Sequence, residues 1–191
     1  MNARHWKCCV PAGVQGRVVI ETFTVSAADA AMSAVRRSYV PDGEYTRLTI
    51  GGNLVMSDTP KERCDHNPLF WKATGHVLLN GLGLGCCLNV VLNTDGVRRV
   101  TVIEKNRDVI DLVGPHFPEA EIICDDAFDW KPPRGVRYGA VWHDIWSNMC
   151  IDNLTEMHRL HRKYGRRTDW QGSWSRGFLE DEQRRQRRIW Y

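Results

Sequence analysis

Residues 75–105, GHVLLNGLGLGCCLNVVLNTDGVRRVTVIEK, decide the fold. Val77, Leu78 and Leu79 form an uninterrupted apolar run, the pattern of a parallel strand covered on both faces. Gly81, Gly83 and Gly85 follow at spacing two, and glycine there lets the backbone turn tightly and approach a ligand with no side chain between them. The pattern predicts a helix from about Gly85 to Leu92, whose unpaired N–H groups face the turn. After Asn93-Thr94-Asp95-Gly96, the β-branched run Val100-Thr101-Val102-Ile103 predicts a second strand ending at Glu104. Glu104 stands 19 positions beyond Gly85, near the offset of about 20 at which an acid meets ribose hydroxyls in the dinucleotide fingerprint. Strand, glycine turn, helix, strand and acid in this order predict a nucleoside-binding corner. The alternative reading is that the glycines only permit close helix–strand packing.

The corner sits in a chain of 191 residues, enough for the core of one ordinary domain and a small appendage. Its 42% hydrophobic and 26% charged content are those of a soluble globular protein. The apolar stretches fall far short of a membrane span, and the first six residues do not lead into a signal-peptide core. Seven cysteines include the adjacent pairs Cys8-Cys9 and Cys86-Cys87, not the spaced set of a disulfide framework, so free thiols and a cytoplasmic location are expected. No metal-ligand set is assigned, because neither a CxxC nor an HExxH occurs. The net charge of +3 hides an asymmetry: residues 159–191 hold ten Lys/Arg against four Asp/Glu. A basic end of this kind is either a solvated helix or a contact for a phosphate-rich partner such as nucleic acid.

Outward from the corner, the pattern predicts a strand over 17–25, a helix from Ala27 to Arg37 begun by a Ser26/Asp29 capping box, and a β-hairpin over 44–57. Downstream, Asn106 is positioned to cap a helix to about Val113, a third strand runs from Glu121 to Cys124, and a fourth from Val136 to His143. Asp152 or Asn153 begins a helix to Tyr164. Residues 166–177 read as a linker and Phe178–Trp190 as a last helix. No apolar β-type run follows residue 146, so four parallel strands are expected, with a bare sheet edge that invites self-association. The chain divides into an N-terminal strand, helix and hairpin region (1–74), a Rossmann-like core (75–165) and a basic Trp/Arg-rich tail (166–191). In a parallel sheet the C-terminal strand ends form the ligand crevice, and the glycine turn, Glu104, Asp125/Asp126 and Asp144 all fall at such ends.

These residues resemble the class I S-adenosylmethionine-dependent methyltransferase superfamily, and within it the spermidine synthase-like group, C-terminally shortened. The resemblance is carried by the hairpin 44–57, NGLGLG at 80–85, IEKNRDVI at 103–110, DDAFDW at 125–130 and WHDIW at 142–146. It implies an α/β Rossmann-like fold with an N-terminal hairpin extension, and S-adenosylmethionine or its decarboxylated form as cofactor. Gly81, Gly83 and Gly85 would meet that cofactor, Glu104 would hold the ribose hydroxyls, Asp126 the adenine amino group beside Asp125, and Asp144 would be the catalytic residue facing the methionine or polyamine amine. Asp58, leaving the hairpin, with His143 and Trp146 would line the substrate pocket. The chain departs from the synthase pattern at Leu84, where those enzymes carry an acid, and at Ser147, the second position of their DSSD-type pair. Three functions follow: a methyl or aminopropyl transferase, a non-catalytic adenosyl or nucleic-acid binding module, and a nicotinamide-dependent oxidoreductase. The last is disfavoured, because the third glycine comes two positions after the second instead of three.

Overall fold

The computed structural model describes residues 5–35 and 40–189. The parallel sheet is built from β5 (Gly75–Asn80), β6 (Val97–Glu104), β7 (Glu121–Cys124), β8 (Tyr138–His143) and β9 (Thr168–Ser173). Their order is β7-β6-β5-β8-β9, and each neighbouring pair is parallel. Counted along the core this is 3-2-1-4-5, the doubly wound Rossmann-like order, with its switch point between β5 and β8.

The uninterrupted apolar run of β5 has the expected cause. Val77 and Leu79 enter one core with Val100, Val102, Val91 and Val113, while Leu78 enters a second with Ile103, Val141, Leu160 and Tyr164. Helices α4 (Cys86–Leu92) and α5 (Arg107–Val113) cover the first face, and α6 (Asn153–Tyr164) covers the second with Leu160 and Tyr164. Asn106 caps α5 as expected, its side chain accepting the Asp108 N–H at 3.0 Å.

Ahead of this core lies an antiparallel sheet in the order β1-β2-β3-β4, formed by β1 (Gly13–Gln15), β2 (Val18–Val25), β3 (Gly43–Ile50) and β4 (Asn53–Ser57). The hairpin expected at 44–57 is β3–β4, turning at Gly51-Gly52. Helix α1 (Ala27–Val35) opens with the expected capping box: Ser26 Oγ accepts the Asp29 N–H at 3.1 Å, and the Asp29 carboxylate accepts the Ser26 N–H at 3.3 Å. Its expected extension to Arg37 lies outside the described residues, as does Trp190 at the end of α7 (Arg176–Ile189). Two short helices, α2 (Pro60–Asp65) and α3 (Asn67–Lys72), carry the chain from the hairpin to β5.

The sheet corrects the expectation of four parallel strands and a linker over 166–177. β9, with the sequence TDWQGS, is a fifth strand, pairing Ala140 with Trp170 and Trp142 with Gly172. It lacks an apolar run because it is an edge strand whose contribution to the core is concentrated in one residue. Trp170 stacks on Trp142 with ring centroids 6.1 Å apart and planes 9° apart. Gly172 makes room for this pair, since a Cβ there would stand 2.7 Å from both indoles. Gly172→Ala should therefore destabilise the chain by about 1–3 kcal/mol, the usual cost of overpacking. Denaturant melts check this, and a neutral effect would contradict the packing of β9 on β8.

His161 of α6 joins β9 to α7. Arg176 Nη1 donates to its Nδ1 at 2.6 Å, and its Nε2 meets Ser173 Oγ at 2.9 Å. Nδ1 can accept only while the ring is neutral; burial, then Arg176 and His158, lower the pKa to about 4. An unfolded chain takes up this proton near pH 6.5, so stability falls as pH drops from about 6.5 to about 4. Thermal melts across that window should show the loss. His161→Gln, which retains an acceptor for Arg176, should make the loss shallower, with the buried His66 and His143, both lowered to about 3, supplying the remainder, and an unaltered pH slope in that variant would be the contrary result.

Candidate functional site

The turn after β5 is shaped by close approaches. Gly81 has φ +104°, and a Cβ on it would collide with the carbonyl of Asp144, so the two strand ends at the switch point meet backbone to backbone. Gly83, at φ +52°, lies against Met56 of β4; a Cβ there would strike its sulfur. The Met56 thioether also accepts the Leu84 N–H at 3.0 Å. The hairpin thus forms a wall over the glycine turn. Gly85 serves packing, because Phe117 and Val113 occupy the space that its side chain would need.

A cleft of about 930 Å³ opens at this point. Gly81, Gly83, Glu104, Asp125, Asp126, Asp144 and Trp146 all border it, with the hairpin residues Leu48, Leu54 and Met56 opposite. Glu104 ends β6 and is aimed by two backbone donors: Leu82 N–H to Oε2 at 2.9 Å and Asn106 N–H to Oε1 at 2.7 Å. Each oxygen keeps a lone pair for a ligand hydroxyl. Asp126 Oδ1 accepts the Phe128 N–H at 2.7 Å and Asp125 Oδ1 accepts the Asp126 N–H at 2.7 Å, so one oxygen of each is engaged in shaping the loop after β7. Trp146 Nε1 donates to Glu156 at 2.7 Å, fixing the indole at the cleft.

Asp144 follows β8 and its N–H extends the ladder to Asn80 O at 2.8 Å. Its carboxylate is 26% exposed and stands 3.7 Å from His66 Nε2, too far for a hydrogen bond, and burial lowers the pKa of that imidazole to about 3, so the ring is neutral. Burial, reinforced by Glu62, Glu104 and Asp65, raises its pKa to about 7.

Two expected pocket residues lie elsewhere. His143 is fully buried beneath the sheet end, with Asn80 Nδ2 at 2.7 Å from its Nδ1 and Gln171 Oε1 at 3.4 Å from its Nε2. Burial lowers its pKa to about 3, so it is a neutral internal hydrogen-bonding group. The alternation of side chains along β8 turns it away from the cleft that Asp144, one residue later, borders. Asp58, 2% exposed, is also a structural group: its carboxylate accepts the N–H of Thr46 at 2.8 Å and of Cys8 at 3.2 Å, tying the N-terminal segment to the hairpin. Met56, two residues earlier in the same Met56-Ser57-Asp58 segment that the resemblance sets beside the ligand, is the hairpin residue that reaches the turn.

No protein-family model matches the chain, and no curated protein matches it. Among solved structures it is similar to the plantazolicin methyltransferase BpumL in complex with SAH at 16% identity and TM-score 0.41, over 56% of this chain and 40% of that one. Spermidine synthase from Thermotoga maritima is similar at 16% identity and TM-score 0.47, over 72% of this chain and 48% of that one. The 23S rRNA methyltransferase ErmE is similar at 15% identity and TM-score 0.40, over 51% and 37%. The chain therefore spans less than half the length of each of these three proteins. Likenesses this low leave the function to be read from the cleft itself.

Proposed function

We propose that the chain binds an S-adenosylmethionine-type ligand in the cleft over Gly81 and Gly83 and acts as a methyltransferase-like enzyme. The observation that carries this reading is the charge of the cleft. Among the described residues, five acidic side chains, Glu104, Asp125, Asp126, Asp144 and Glu156, border it against one cation, Lys105, with Asp144, raised to about 7, carrying part of its charge at neutral pH. A pyrophosphate brought to the glycine turn would meet that negative field at close range, whereas a sulfonium cation carrying hydroxyl and amino donors would be attracted. In this reading the Glu104 lone pairs accept the ribose hydroxyls, Asp126 accepts from the adenine amino group, and Asp144 faces the transferred group. Methyl transfer from a sulfonium depends on positioning and desolvation more than on proton transfer, which suits a short site enclosed by the hairpin.

Aminopropyl transfer from decarboxylated S-adenosylmethionine is the second reading, favoured by Asp144 and Glu156 at the cleft, which would hold a cationic amine. The support for a nucleic-acid partner is the exposed set Arg184, Arg185, Arg187 and Arg188 on α7. No helix among the described residues is long and apolar enough to cross a membrane.

At a hundredfold excess over its dissociation constant, an adenosyl ligand should stabilise the chain by about 2.7 kcal/mol in thermal-shift measurements. Glu104→Gln should weaken binding roughly ten- to hundredfold, as loss of a hydrogen bond to a charged acceptor does. Stabilisation by none of S-adenosylmethionine, its decarboxylated form and methylthioadenosine would sink the proposal. Binding without turnover on amine or nucleic-acid acceptors would leave the chain a binding module.

A further inference from the structure

Three metal-ligating side chains converge at the glycine turn, two of them outside the cleft and the third, Asp144, on its edge. His66 comes from the junction of α2 and α3, Cys87 from the first turn of α4, and Asp144 from the end of β8. One ring nitrogen of His66, the Cys87 sulfur and one carboxylate oxygen of Asp144 all lie within 4.8 Å of one another. Their individual surroundings leave them short of partners. The His66 ring, 2% exposed, is packed between Trp6, Phe70 and Trp142; its Nδ1 has no hydrogen-bond partner, and its Nε2 stands 3.7 Å from Asp144 Oδ2. A neutral ring has one lone pair, and with the proton on the unpaired Nδ1 that lone pair is on Nε2, the nitrogen that faces Asp144. The surrounding field is negative, since Glu62 acts on both Cys87 and Asp144 and Glu104 acts on Asp144.

We propose that His66, Cys87 and Asp144 form a three-ligand site for a divalent transition-metal ion of the zinc class. Zinc bonds of about 2.0–2.3 Å to nitrogen, oxygen and sulfur hold tetrahedral neighbours roughly 3.3–3.8 Å apart. The 3.7 Å between His66 Nε2 and Asp144 Oδ2 matches that spacing, and the widest separation in the set, within 4.8 Å, needs to close by about 1 Å on binding. The mixed nitrogen, sulfur and oxygen set suits zinc or cobalt and is wrong for magnesium or calcium, which take oxygen ligands. Three protein ligands leave a fourth position open, the arrangement of metal sites that bind an exchangeable ligand. Asp144 is shared with the cleft, so the ion would sit at the cleft's edge and link α3, α4 and β8 around the switch point. Sequence spacing does not reveal the set, because 21 and 57 positions separate its members.

The test uses the full chain, stripped with a chelator, and cobalt(II) as the spectroscopic probe, without any adenosyl ligand, so that its result is independent of the cofactor reading. One cobalt per chain should bind with a thiolate-to-cobalt charge-transfer band and tetrahedral ligand-field bands, and zinc should displace it one for one. Cys87→Ser should abolish the charge-transfer band, and Cys87→Ser, His66→Gln and Asp144→Asn should each lower affinity roughly tenfold or more. Cys8→Ser, at a thiol outside the set, should leave the spectrum unchanged. Should His66→Gln fail to fold, the Cys87 and Asp144 variants decide. No cobalt binding, binding without a thiolate band, or a band that survives Cys87→Ser would overturn the site.

Discussion

The structure depends on the place where β5 and β8 end side by side. There the backbone of Gly81 lies so close to the Asp144 carbonyl that no side chain fits between them. Parallel strands diverge beyond this point because their crossovers leave to opposite faces, and the gap they open is the cleft. Nothing larger than glycine at position 81 would let β5 hand over to the turn while Asp144 keeps its hydrogen bond to Asn80. The rest of the site is arranged from that contact. Glu104 is held by Leu82, the hairpin closes on Gly83 through Met56, and α4 begins against Phe117.

The sequence was most informative where function and fold use the same residues. The apolar run 77–79, the spaced glycines and the acid at 104 carry β5, the turn and β6 together, so reading one meant reading the others. Asp125, Asp126, Asp144 and Trp146 could be assigned to the cleft because strand ends of a parallel sheet share one rim. β9 escaped notice for a physical reason. An edge strand needs few apolar residues, and Trp170 on Trp142 supplies most of its packing while Gln171 and Ser173 satisfy polar groups of His161 and His143. His143 stands one residue before the rim, and Asp58 leaves the hairpin where the resemblance puts a pocket residue. Whether such a side chain turns toward ligand or core depends on strand alternation and on backbone donors, and both are tertiary facts. The Met56 contact and the His66, Cys87, Asp144 cluster join segments far apart in the chain, beyond the reach of any spacing rule.

The charge of the cleft separates two ligands that a glycine-rich Rossmann-like turn could otherwise share. A dinucleotide brings phosphates to the turn and needs N–H donors and cations there. Here two N–H groups of the turn are already engaged, Leu82 with Glu104 and Leu84 with Met56, and carboxylates ring the opening. The same features suit a cationic sulfonium whose hydroxyls and amines are donors.

The most direct measurement is calorimetric titration of the full chain with S-adenosylmethionine and with NAD under one set of conditions. The cleft's charge predicts one S-adenosylmethionine bound per chain and no NAD, whereas saturable binding of NAD, or of neither ligand, would contradict it.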